Sequence, residues 1–134
     1  MTQRVNIVPL NLVGEGDRGV TYDFVIRETS EFVLMKRLAG TMNGNAYHEG
    51  ISNRVNPKTF IILEGEIEFL YRAINEENHH SELIDYPCII QVYPYVTHAM
   101  RVIKNAIFLE ALGFKDVEND RHFLEVINKA AVES

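Results

Sequence analysis

The sequence predicts an all-β, barrel-like domain with one short helix at its C-terminal end. Three observations carry this reading. Several stretches alternate apolar and polar residues at period two, the pattern of half-buried strands. These strand-like runs recur at spacings typical of sandwiches and barrels. A single segment near the end carries helical periodicity instead.

Taken in order, Val5–Val13 is strand-like but has no evident partner. "YDFVIRE" and "EFVLMKRLAG" read as strands separated by the polar turn Glu28–Ser30. A long loop rich in Gly and Asn is expected over Gly40–Asn56. "TFIILEGEIEFLY" is a hairpin candidate, because Glu64-Gly65 interrupts two β-rich runs. In its second half Ile67, Phe69, Tyr71 and Ala73 share one side and Glu66, Glu68 and Arg72 the other. After a polar loop at Asn75–Ser81, shorter strands are expected at Cys88–Val92, Thr97–Val102 and Ala106–Leu112. Behind the cap pair Asn119-Asp120, the residues Phe123, Val126, Ile127 and Ala130 recur at i, i+3, i+4 and i+7, predicting a helix over about 120–131.

Composition narrows the function. At 134 residues the chain is one domain, 1–134, with its core at about 31–113. Thirteen basic against nineteen acidic residues give a net charge of -6, which argues against nucleic-acid binding, since that needs a surplus of cations. One cysteine, Cys88, excludes an intrachain disulfide and a thiolate zinc cluster; following Pro87 in an apolar run, it reads as a buried, inert thiol. No apolar run is long enough for a bilayer and the N-terminus does not read as a signal peptide, so a cytoplasmic protein with no membrane partner is expected.

The stretch from Gly40 to Gly65 resembles the first motif of the cupins, small jelly-roll barrels. That motif runs Gly, five residues, His-x-His, a variable loop, Glu, six residues, Gly. Here Gly40 is followed by five residues, Ala46-Tyr47-His48, a loop, Lys58, six residues and Gly65. "YPYVTHAM" supplies Pro94 and His98 as in the second motif. The likeness covers roughly residues 31–113 and is strongest to cupins of polysaccharide and nucleotide-sugar metabolism. It departs from the motifs where Ala46 replaces a histidine, Lys58 the glutamate, Tyr95 a turn glycine and Val102 an asparagine.

The resemblance implies a double-stranded β-helix with His48 and His98 facing into the barrel mouth. A divalent metal there, held by His48 and His98, is disfavoured: Ala46 offers no ligand, and the Lys58 ammonium would repel the cation. No cofactor is therefore expected. The same residues suit metal-free acid–base chemistry of the epimerase or isomerase kind on a sugar or nucleotide-sugar. His48 would be the base at the rim, with or without His98, and Lys58 would stabilise an enolate or hold an anion. Tyr47, Tyr71 and Tyr95 offer phenols to sugar oxygens. The alternative is a non-catalytic cupin that binds a ligand or another protein, with a metal-dependent enzyme third.

Plainer readings stand beside these. A histidine in a β-barrel is commonly a hydrogen-bonded core residue, and Lys58 between "NP" and "TF" can be a solvated loop residue. Tyrosines at period two are ordinary strand formers. His79 and His80 read as solvated, and His122 as exposed on the outer face of the helix. A homodimer is expected, in which Val5–Val13 pads or extends the partner's sheet.

Overall fold

The computed structural model describes residues 3–26, 31–52, 56–111 and 118–128. Ten strands follow in order: β1 Val5–Pro9, β2 Asn11–Gly16, β3 Gly19–Asp23, β4 Val33–Arg37, β5 Met42–Tyr47, β6 Lys58–Ala73, β7 His80–Ile84, β8 Cys88–Val92, β9 Val96–Glu110 and β10 His122–Phe123. Eight of them form one antiparallel sheet, while β2 and β3, among the described residues, pair only with each other.

The two long strands β6 and β9 run antiparallel along their whole length, from Phe60 opposite Glu110 to Ala73 opposite Val96. Each then serves two walls. The first half of β6 pairs with β8 and the second with β7. The first half of β9 pairs with β5 and the second with β4. A pair of strands shared by two walls must bend in the middle, and the bend falls at Gly65. Its φ is 105°, and a Cβ there would lie 2.5 Å from the Asn105 carbonyl oxygen. Only glycine tolerates both. The expected hairpin at Glu64-Gly65 is therefore a bulge within β6, which runs straight through it, and the two strands expected at Thr97–Val102 and Ala106–Leu112 join as β9. Leu112 itself lies outside the described residues.

Inward residues of the shared strands fill the barrel. Phe60, Ile62, Ile67, Phe69, Val102 and Phe108 are buried together with Ile90 of β8. Cys88 joins them, and burial pushes its thiol up to about 12, so it stays protonated and inert. The segment "YDFVIRE" departs from expectation: β3 ends at Asp23, Phe24–Ile26 are not in a strand, and 27–28 lie outside the described residues. The expected loop at 40–56 contains β5. No helix among the described residues is long and apolar enough to cross a membrane.

The C-terminal helix is not formed. Residues 120–128 carry the two-residue strand β10 and irregular extended chain, and 129–131 lie outside the described residues. The reason is visible in the hydrogen bonds. The barrel supplies partners for backbone groups that a helix would pair internally. The buried Arg72 donates from Nε to the Val126 carbonyl at 2.7 Å and from Nη2 to that of Glu125 at 2.8 Å. The Thr97 hydroxyl donates to the Leu124 carbonyl, the Leu124 amide to the Asn45 carbonyl at 2.9 Å, and the Val126 amide to Asn45 Oδ1 at 3.1 Å. Val126 is buried against Leu70 and Ala99, whereas Phe123 is 73% exposed. The apolar periodicity thus marks one anchor, not a helix face.

Arg72 also reaches the carbonyls of Glu76 at 3.1 Å and Ile74 at 3.4 Å, tying the β6–β7 turn to the C-terminal strap. Arg72→Ala removes the donor from four carbonyls, one buried at Val126 and three part-buried, and a buried carbonyl left unpaired costs about 1–3 kcal/mol. Denaturant titration is expected to show a loss of at least about 3 kcal/mol, with Thr97→Val costing about 1 kcal/mol.

Candidate functional site

β5 brings the first motif to the barrel interior through a bulge. Its pairing with β9 shifts register between Gly44 and Ala46, and Asn45 takes a left-handed φ of 61°. Gly44, at φ 107°, passes so close to β9 that a Cβ would lie 2.6 Å from the His98 carbonyl oxygen. Past this bulge Ala46 and His48 point inward and are buried, while Tyr47 between them points away. Ala46 lies directly opposite His98 of β9.

The two imidazoles face each other with ring centroids 5.8 Å apart. His48 meets the Asp120 backbone carbonyl through Nδ1, and His98 meets the Val96 carbonyl through Nδ1 at 3.1 Å. A carbonyl only accepts, so each neutral ring carries its hydrogen on Nδ1 and keeps the Nε2 lone pair. Both rings are biased towards this neutral form. Burial lowers the His48 pKa, with Lys58 adding to the effect. Burial, then His48 and Lys58, takes His98 down to about 3.

Lys58 opens β6 and Glu110 closes β9, so the strand pairing delivers both to one end of the barrel. Their side chains are 3% and 13% exposed and meet at 2.9 Å. The ammonium also lies 5.2 Å from the centre of the Phe60 ring. Lys58 is therefore a buried, paired cation and not a solvated loop residue.

These groups line a cavity of about 210 Å³. Gly44, Ala46, Phe60, Met100 and Phe108 form its apolar surface, and Met35 and Arg37 of β4, Asn43 of β5, and Arg121 and Phe123 of the strap reach its mouth. Small-molecule pockets commonly run about 300–1,000 Å³, so this one admits a group of sugar-ring size and leaves a larger ligand at the mouth. Among the described residues neither Arg37 nor Arg121 meets a carboxylate: Arg37 donates to Asn43 Oδ1 at 2.7 Å, and Arg121 lies over the Phe123 ring at 5.0 Å. With Lys58 and Glu110 cancelling and the histidines neutral, the cavity carries an excess of positive charge in a chain of net charge -6.

The structure thus gathers His48, His98 and Lys58, and it places His48 in the interior at 5% exposure instead of at the rim. Tyr47, Tyr71 and Tyr95 do not line the cavity. Tyr47 stacks on His122 at 5.0 Å, Tyr71 on His80 at 5.2 Å, and Tyr95, 47% exposed, sits 6.2 Å from Tyr47. Sequence reasoning passed over Arg37, Arg121 and Phe123 as cavity residues. The alternation in "VLMKR", which sets Met35 and Arg37 on one face, is the one local signal for any of them.

The residues present do not fit the metal that the cupin motif implies. Two Nε2 atoms are available, Ala46 supplies no donor, and the carboxylate at this end is engaged by a buried ammonium where a further ligand would have to stand.

No family model and no curated protein matches this chain. Solved structures do. The sugar 3,4-ketoisomerase QdtA from Thermoanaerobacterium thermosaccharolyticum, in complex with TDP, superposes with a TM-score of 0.72 at 12% identity, covering 99% of this chain and 98% of that one. A 3,4-ketoisomerase from Helicobacter canadensis gives 0.68 at 13% identity over 88% and 89%. The RmlC epimerase of Mycobacterium tuberculosis gives 0.68 at 11% identity over 89% and 68%. At these identities the likeness establishes the fold, which is that of the RmlC-like cupins.

The buried histidines set a pH window. Unfolded histidine titrates near 6.5, whereas folded His98 titrates at about 3. Between these values the unfolded chain binds a proton that the native chain refuses, so stability present above pH 6.5 is lost as pH falls. Depressed carboxylates act in the same direction only lower down: Glu76, held at about 2 by Arg4, and Asp120, whose carboxylate accepts three backbone N–H groups. Denaturant titrations between pH 7 and 5 are expected to show falling stability. His98→Gln is expected to flatten that slope by up to about 1.4 kcal/mol per pH unit.

Proposed function

We propose that this chain is a metal-free sugar isomerase of nucleotide-sugar metabolism, moving a proton between adjacent carbons of a keto sugar with His48 as the base. The observation that carries the reading is the imidazole pair with both Nδ1 atoms tied to backbone carbonyls and both Nε2 lone pairs free within a cavity of ring size.

In this reading His48 Nε2 takes the proton from the carbon next to the carbonyl. The C–H electron pair becomes the C=C bond of an enediolate, and the carbonyl oxygen takes the negative charge. The Lys58 ammonium, paired with Glu110, faces that oxyanion. The His48 imidazolium then returns the proton to the neighbouring carbon, while the hydroxyl proton passes to the former carbonyl oxygen. His98, with a pKa of about 3, stays neutral near pH 7 and acts as a hydrogen-bond acceptor and not as a second acid. A single proton carrier delivers to the face it took from, which favours isomerisation over inversion. Arg37 and Arg121 at the mouth suit a diphosphate outside the ring cavity.

QdtA has been solved with TDP and, as a variant, with TDP-4-keto-6-deoxyglucose, and the latter is the first substrate to test. Incubated with it in D₂O, the wild type is expected to produce an isomerised ketone carrying solvent deuterium, read by proton NMR. His48→Asn is expected to lose conversion by about 10²–10⁴-fold. Absence of both conversion and deuterium uptake across a panel of keto nucleotide-sugars, with no thermal shift by TDP, would sink the reading.

A homodimer is part of the same proposal, but Val5–Val13 is not a free strand for a partner's sheet, because Val5–Pro9 pairs with β8 of its own chain. Among the described residues the β2–β3 hairpin pairs with no other strand, yet Leu12, Val13 and Val20 on it are each about half exposed. An uncovered apolar hairpin of this kind suits a second copy. Light scattering at tens of micromolar is expected to report a dimer, and the double change Val13→Glu, Val20→Glu a monomer.

A further inference from the structure

Apart from the residues that line the cavity, three further side chains converge. Glu49 follows His48 on the β5 side, and Asp120 and His122 belong to the strap. His122 Nε2 lies 3.3 Å from Asp120 Oδ1 and 3.7 Å from Glu49 Oε1, and the three donor atoms all fall within 4.8 Å of one another. Two of the three groups are fixed by contacts unrelated to each other. The Asp120 carboxylate accepts from the amides of Glu49 at 2.8 Å, Gly50 at 2.9 Å and Ile51 at 3.0 Å. The His122 ring is stacked on Tyr47, and its backbone pairs with the same residue.

His122 Nε2 is shut off from solvent and has no hydrogen-bond partner, although the ring as a whole is partly exposed. The contact to Asp120 has the length of a polar pair without the alignment of a hydrogen bond. A nitrogen buried between two carboxylate oxygens and bonded to neither is a donor atom whose partner is missing. The two separations from the nitrogen are close to another geometry. Zinc binds imidazole nitrogen at about 2.0–2.1 Å and carboxylate oxygen at about 2.0–2.2 Å, so neighbouring ligands of a tetrahedral ion stand about 3.4 Å apart.

We propose that Glu49, Asp120 and His122 form a divalent-cation site of the zinc type at the rim of the barrel, distinct from the cavity that holds His48 and His98. One nitrogen and two oxygen donors suit a borderline first-row ion, with the fourth position left to water. The ion would join the chain just after β5 to the strap, across the Asp120 backbone that holds His48 in place. Its role is to staple the strap, and the proposal stands whether or not the barrel is catalytic.

Titration calorimetry of untagged, chelator-stripped protein with zinc chloride tests it. One equivalent is expected to bind and raise Tm by several degrees. Affinity is expected to fall at least tenfold in His122→Ala and in Glu49→Gln, and to be unchanged in His80→Ala, which alters the other exposed imidazole cluster. Cobalt(II) substituted at the site is expected to give the intense visible bands of four-coordination, lost in His122→Ala. Any one of three results overturns the proposal: no binding at millimolar zinc, binding unaffected by His122→Ala, or binding lost in His80→Ala or His98→Gln instead.

Discussion

The long pairing of β6 with β9, carried past the bulge at Gly65, is the constraint on which the rest of the molecule depends. Fifteen- and sixteen-residue strands paired over this length coil, and once coiled they give each edge two different partners. That division creates the barrel, because β8 and β4 follow one half of the pair while β7 and β5 follow the other. It also builds the cavity. The first residue of β6 is Lys58 and the last of β9 is Glu110, so closing the ladder brings a cation and an anion together at the end where β5 delivers His48. Gly65 is needed because the bend presses Asn105 and Ala106 against it, and Gly44 because the bulge in β5 runs over the His98 carbonyl.

Ala46 and Lys58 change the character of this cavity together. A methyl opposite His98 leaves room beside the imidazole, and a lysine in the glutamate position brings a fixed positive charge into a buried space. Burying that charge alone would be costly; Glu110 offsets it at 2.9 Å. The consequence reaches the histidines, since the same ammonium disfavours protonation of both. A cation held by the protein can stabilise developing negative charge on a bound ligand without itself needing a ligand set. The substitutions that remove a metal site are thus mutually consistent with an organic anion as occupant.

Much of this is legible in the sequence, and the parts that are not share a cause. Ala46, His48, Lys58, Gly65 and His98 lie at the spacings of the cupin motifs, and it is that resemblance that leads to their convergence being expected. Gly65 is recognisable as a break, but glycine marks a turn and a bulge equally, and only the shared partner β9 decides between them. The helix expected at 120–131 fails because its periodicity is local while its partners are not. Arg72, Thr97 and Asn45 come from three other strands or bulges and capture the backbone first. Arg121 is invisible as a cavity residue for the same reason, and for Arg37 the alternation in "VLMKR" marks a shared face with Met35 without saying what that face meets.

The strap then explains why the site is assembled from so distant a segment. Asp120 acts twice: its carbonyl fixes the His48 ring, and its carboxylate gathers the amides of the three residues that follow His48. Either contact alone would leave the imidazole free to turn or the loop free to move. Both together fix the His48 imidazole in position and tautomer from a single residue. Arg72 and Thr97, by holding Leu124–Val126, keep that residue in place from the opposite end of the strap. An irregular segment can do this where a helix cannot, because its carbonyls remain available to the barrel instead of being spent on its own turns.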